Sequence, residues 1–157
     1  MRRWQKIPLA TWVGAVLCLV VICVALLADV LAPQSPFKSR GGPFIPPSAM
    51  FWFGSDDLGR DVFSGVVHGA RTSLVIGMVV ALTSLLIGTG IGSVAGYFGG
   101  WLDDGLMRFA ELIQILPRFF LALLVVALMG SSLAYLIAVL AFTAWPFTAR
   151  LARAGVM

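Results

Sequence analysis

The sequence predicts an all-α membrane protein with about four transmembrane helices and an extracytoplasmic Pro/Gly-rich linker after the first. Three observations carry this expectation. Hydrophobic residues make up 60% of the chain and charged residues only 11%, whereas an ordinary soluble domain carries about 25% charged residues. A chain so poor in charge cannot cover a globular surface with polar groups, and lipid is its natural solvent. The apolar residues also fall in uncharged runs of 22, 31 and 31 residues. Finally, 157 residues suit about four spans of ~20 residues plus their connections.

The first run, Ile7 to Ala28, lies between Lys6 and Asp29. At 1.5 Å per residue it makes a helix of ~33 Å, enough for a hydrocarbon core of ~30 Å. Arg2, Arg3 and Lys6 would also serve a cleaved signal peptide. Such peptides have a shorter apolar region and an Ala-x-Ala site, which is missing here, so an uncleaved helix is expected. The linker from Pro33 to Phe53 holds Pro33, Pro36, Pro43, Pro46, Pro47, Gly41 and Gly42. Proline removes donors and glycine adds freedom, so this backbone is irregular and cannot face lipid. After the polar stretch Gly54 to Asp61, Val62, Phe63, Val66 and Val67 recur at helical spacing. They predict a short amphipathic helix capped by Asp61, with His68 and Arg71 near its end.

The second run, Thr72 to Leu102, ends its apolar part near Gly96, with Tyr97, Phe98 and Trp101 as interfacial aromatics. Ser84, Gly88, Gly92 and Gly96 stand four apart and form one ridge of small residues. This small-xxx-small pattern lets two membrane helices approach closely, although it does not identify the partner helix. Gly99 to Asp104 reads as a turn. The third helix then runs from about Gly105 to Met129, with Pro117 inside it. Proline leaves the Ile113 carbonyl without its helical partner, so a kink is expected there. Gly130-Ser131-Ser132 makes a tight turn, and the fourth helix covers about Leu133 to Ala149.

The formal charge of +4 is spread between the apolar runs, with no basic patch or stripe; nucleic acid is excluded as a partner and the lipid membrane is expected. With the N-terminus inside, the inner segments hold Arg2, Arg3, Lys6, Arg108, Arg150 and Arg153, against Lys38, Arg40, Arg60 and Arg71 outside. This bias of six to four, weighted by the cluster before the first span, predicts a cytoplasmic N-terminus. Cys18 and Cys23 lie five apart within the first run. They face different sides of a helix and read as packing residues.

Chemistry-bearing candidates are sparse. Gly54-x4-Gly59-Arg60-Asp61 only superficially resembles a phosphate-binding loop, because Arg-Asp stands in place of Lys-Ser/Thr and a proline-rich linker precedes it. Asp56, Asp57 and Asp61 lack the ligand spacing of a calcium loop. Pairing of Asp57 and Asp61 with Arg60 is the local expectation. Glu111 and Arg118, seven apart, share one face of the third helix. An ionised group at the bilayer centre costs about 2.5–3.5 kcal/mol, so the two face protein, water or each other, as pathway groups, surface groups or a buried pair. No catalytic, cofactor-binding or metal-binding constellation is expected, and His68 stands alone as a surface residue.

Several segments together resemble a known family. Phe53-Gly-Ser-Asp-Asp-Leu-Gly-Arg-Asp-Val-Phe-Ser64, followed by Gly69-Ala-Arg-Thr-Ser-Leu74, resembles the second permease subunit of dipeptide, oligopeptide and nickel ABC importers. The motif positions are Gly54, Asp56, Asp57, Gly59, Arg60, Asp61, Gly69 and Arg71. Further matches are Gly96 to Trp101, Asp104 with Met107-Arg108, Leu116-Pro117, and Trp145-Pro146 with Ala149 to Arg153. Ser55 stands where the family has Thr, and Arg118 where it often has an uncharged residue. The resemblance implies the first part of a six-helix permease fold, in a multi-pass subunit of the bacterial inner membrane. Residues 1–62 would be the first helix plus linker, and 63–157 the start of the permease domain. It also implies a second permease subunit, cytoplasmic ATP-binding subunits and an extracytoplasmic substrate-binding protein. The family's coupling loop, which docks on the ATPase, would follow Met157, so the chain is expected to be a truncated permease, unable to drive import alone.

Two functions are therefore carried forward. One is a permease subunit of an ATP-driven importer for peptides or related small solutes, with ATP bound by its partners and no catalysis of its own. The other is a small four-helix membrane adaptor that moves nothing. A membrane-embedded enzyme is disfavoured because no triad, metal cluster or redox motif is present.

Overall fold

The computed structural model describes residues 8–157; the basic cluster Arg2, Arg3 and Lys6, and Ile7 at the start of the first run, lie outside the described residues. Among the described residues six helices make up the regular structure: α1 (Leu9–Leu26), α2 (Ala28–Leu31), α3 (Val62–Phe98), α4 (Gly100–Ile115), α5 (Arg118–Met129) and α6 (Leu133–Val156). Contacts divide the chain into two compact units, one up to Val75 and one from Ile76 to Met157. The division falls inside α3, after Val75. The reason lies in packing: Val67, a turn into α3, is buried with Ala28 and Ala32 in the first unit.

In the first unit, α1 passes through Leu27 into the single turn of α2. The proline-rich segment that follows is irregular but hydrogen-bonded. Ser55 is buried at its centre; its hydroxyl donates to the Gly42 carbonyl and accepts the Ile45 N–H, each at 2.8 Å. Arg40 N–H donates to the Gly59 carbonyl at 2.9 Å. Gly54 and Gly59 have φ of +76° and +70°, and a Cβ at Gly59 would lie 2.2 Å from the Gly41 carbonyl oxygen. Only glycine fits a left-handed residue against backbone that close. The expected pairing of Arg60 with Asp57 and Asp61 is not formed. Asp56 instead accepts the N–H groups of Leu58 and Arg60 at 2.9 and 2.8 Å, a turn that satisfies the backbone locally. Asp61 caps α3: its Oδ2 accepts the Ser64 N–H at 2.9 Å and the Ser64 hydroxyl at 2.5 Å.

No separate amphipathic helix ends near Arg71. α3 runs unbroken for 37 residues, because no proline interrupts its hydrogen-bond ladder between Val62 and Phe98. At ~1.5 Å per residue it is about 55 Å long, well beyond a ~30 Å hydrocarbon core.

In the second unit, the expected Gly99–Asp104 turn shrinks to Gly99 and the start of α4. Gly99 and Gly100 take φ of +60° and +56°, which reverses the chain in fewer residues than side-chain-bearing positions need. The expected third helix is two helices. Pro117 is the N-cap of α5, not an interior residue, and α4 and α5 meet at a 71° bend. Leu116 adopts the extended conformation that a residue before proline favours. Gly130 turns the chain with φ of +90°, and α6 continues past Ala149 to Val156, a stretch without proline. Ala95, Met107, Ala110, Ile113, Trp145 and Ala149 form the buried cluster of this unit. Among the described residues three helices, α1, α3 and α6, are long and apolar enough to cross a membrane, and the bent pair α4–α5 makes a fourth if it counts as one span.

Candidate functional site

The small-residue ridge lies on α3 where α6 passes. Ser84 Oγ and Thr148 Oγ1 are 2.8 Å apart. A Cβ at Gly88 would meet Thr148 Cβ at 2.6 Å and the Trp145 carbonyl oxygen at 2.8 Å; at Gly92 it would meet the Ala149 carbonyl oxygen at 2.2 Å; at Gly96 the Arg153 carbonyl oxygen at 2.9 Å. From Gly88 to Gly96 each step of four along α3 thus meets the next turn of α6, the glycine backbone lying directly against it.

The same seam ends in an ion pair. Arg153 Nη2 donates to Asp103 Oδ2, joining the last turns of α6 to the first turn of α4. The Asp103 side chain is 6% exposed and that of Arg153 32%. The other two atoms of the fork, Asp103 Oδ1 and Arg153 Nε, are buried without partners; a side-on arginine–carboxylate fork pairs those two atoms with each other. The sequence counted Arg153 among the basic residues of the inner segments and offered no carboxylate for it. No local signal could have found this pair, because its members are fifty residues apart.

Glu111 and Arg118 are not brought together. Their shared face exists only on a continuous helix, and the break at Leu116-Pro117 separates them. Glu111 is exposed on α4 and pairs with no cation among the described residues. Arg118 opens α5 and lines a cavity of about 580 Å³ with residues of α3 and α6, among them Val80, Ser84, Phe147 and Thr148.

The motif residues Asp56, Arg60, Asp61, Gly69 and Arg71 border a wider cavity of about 1060 Å³ in the first unit. Arg71 Nη1 donates to Asp29 Oδ2 at 2.8 Å, and His68 Nε2 lies 3.0 Å from the Ala32 carbonyl oxygen. Both contacts tie α3 to the end of α2. Asp57 is exposed and Gly54 and Gly59 are turn residues, so these motif positions hold the linker in shape. The expectation that Asp61 caps and Arg71 lies near a helix end thus separates: Asp61 caps, while Arg71 reaches across to a carboxylate 42 residues earlier.

Residues 88–157 match the family described as binding-protein-dependent transport system inner membrane component. The match takes in three ridge glycines, α4, α5 and α6. The chain is 40% identical over 157 residues to the dipeptide transport system permease protein DppC of Bacillus subtilis, covering 99% of this chain and 49% of that protein. It is 40% identical over 158 residues to the glutathione transport system permease protein GsiD of Pectobacterium atrosepticum, covering 99% and 52%. The oligopeptide transport system permease protein OppC of Bacillus subtilis is 34% identical over 158 residues, covering 100% and 52%. The chain spans about half the length of the curated relatives it matches.

Proposed function

We propose, from the premise that this chain carries over residues 88–157 the domain of the binding-protein-dependent transport system inner membrane components, that it is a permease subunit of an ATP-driven importer for peptides or related small solutes. The observation that carries the reading is similarity along almost the whole chain to permeases of dipeptide, glutathione and oligopeptide transport systems. The geometry is consistent with it: close-packed membrane helices border a solute-sized cavity. The chain's role is then to form part of the pathway. ATP is bound and hydrolysed on cytoplasmic partner subunits, so the chain needs no cofactor of its own. A second permease subunit completes the pathway, and an extracytoplasmic binding protein delivers the solute. The subunit sits in the bacterial inner membrane with its N-terminus cytoplasmic and the Pro33–Phe53 linker outside.

The test is reconstitution. Proteoliposomes holding the complete protein, the partner permease, the ATP-binding subunits and the binding protein should take up a labelled dipeptide when supplied with ATP. Uptake should vanish when this subunit alone is left out. Equal uptake without it would show that it is not part of the pathway.

A further inference from the structure

We propose that the cavity between α3, α5 and α6 is a subsite for the carboxylate of the transported solute, with Arg118 as the residue that binds it; the inference rests on the pathway reading above. The cavity of about 580 Å³ falls in the range of small-molecule sites. Its walls are largely apolar, including Ile76, Val80, Leu140 and Phe147, and Arg118 is its one ionisable lining residue. Ser84 and Thr148 supply the other polar atoms, as a hydroxyl pair 2.8 Å apart. One hydroxyl donates to the other, and the acceptor keeps its own proton for a ligand oxygen. An apolar pocket with a few convergent polar groups is the usual form of a site that fixes one end of a solute.

Depth makes the arginine informative. Ser84 lies near the middle of the apolar run of α3, and Leu140 to Thr148 occupy the middle of α6. A guanidinium at that depth is costly unless an anion or water meets it. Among the described residues the carboxylates that form ion pairs are committed elsewhere: Asp29 to Arg71 and Asp103 to Arg153. Glu111 lies across the break. Arg118 is exposed, so a solute can reach it, and its planar fork matches a carboxylate in two parallel hydrogen bonds.

The complete transporter, purified into nanodiscs, is tested with two probes: N-acetyl-dialanine, which has a carboxylate and no amine, and dialanine amide, which has an amine and no carboxylate. Arg118→Gln should weaken binding of N-acetyl-dialanine by about tenfold or more, the loss of a charge-assisted contact, and leave dialanine amide unchanged. Arg118→Lys should recover part of the loss. Equal weakening of both probes would mean that Arg118 holds the fold, and the site falls. Wild-type protein that binds N-acetyl-dialanine no better than Arg118→Gln overturns it as well. A wild-type complex that imports no peptide overturns the pathway reading alone; selective loss of N-acetyl-dialanine binding would still support the site.

Discussion

Gly92 has the least room of the ridge positions. A Cβ there would sit 2.2 Å from the Ala149 carbonyl oxygen and 2.9 Å from Ala152 Cβ, and the first of these is backbone. Gly92→Leu should therefore hold α3 and α6 apart and cost at least the 1–3 kcal/mol or so of an overpacked core. Gly90, two residues away, has nothing within 4 Å of a Cβ, so Gly90→Leu should leave thermal stability in detergent unchanged. Equal melting temperatures for the two variants would show that the seam does not form. Ser84→Ala removes the bond to Thr148 and should cost about 0.6 kcal/mol, the mean for a hydrogen bond between membrane helices. The register of the ridge was legible in the sequence because a four-residue step puts small residues on one face. Its partner was not, since nothing local to Gly92 points to Ala149. The partner of Arg153 was hidden for the same reason: two basic residues at the end of an apolar run count toward orientation, and nothing local names the carboxylate on another helix that meets one of them.

Among the helices, the third expected one departs most from the sequence reading. Pro117 and a kink at that point were legible, but not that the bend would reach 71° and split the helix in two. The difference comes from Leu116, whose extended conformation ends α4 before proline begins α5. Pro117→Ala restores the missing donor and relaxes Leu116. Spin labels at Asp104 and Leu128 should then move apart as α4 and α5 straighten. An unchanged distance would show that packing against α6, not proline, sets the bend. The ends of α4 and α6 depend on the buried pair Asp103–Arg153. Asp103→Asn leaves the partly buried Arg153 guanidinium without its counter-charge and should destabilise by about 3 kcal/mol, the low end for a broken buried pair because Arg153 keeps some solvent. Adding Arg153→Gln should cost less than the sum of the two single changes. Strict additivity in thermal unfolding would mean that the two side chains do not interact.

At the scale of the whole chain, composition alone identified a membrane protein, but the number of crossings was not legible from run lengths. The 31 uncharged residues from Phe119 to Ala149 are shared by α5, a sharp turn and most of α6, and neither α4 nor α5 alone is ~30 Å long at 1.5 Å per residue. In the structure the pair crosses as one broken span, because α6 runs parallel to α3 along the seam, Gly88 against Trp145, Gly92 against Ala149 and Gly96 against Arg153. A re-entrant loop would make the two helices antiparallel, and the two arrangements differ in one observable. A variant with Cys18 and Cys23 changed to Ser provides a clean background, and single cysteines are placed at Gly42, Asp104 and Ser131, all exposed positions. α3 crosses once, so the linker and the start of α4 must lie on opposite sides. The basic residues favour the linker outside. Gly42→Cys should therefore react with an impermeant maleimide in intact cells, and Asp104→Cys only after permeabilisation. The opposite pattern would reverse the orientation, and labelling of both from one side would mean that α3 does not cross. Ser131→Cys decides the remaining question. If α4 and α5 cross together, the turn between α5 and α6 lies outside and labels with Gly42→Cys. Backbone that breaks at membrane depth is tolerated where protein or a water-filled cavity covers it, and the break at Leu116-Pro117 borders the Arg118 cavity. A crossing pair, and labelling of Ser131→Cys in intact cells, is the expected outcome. Labelling only after permeabilisation would make α4–α5 a re-entrant loop and reduce the spans to three.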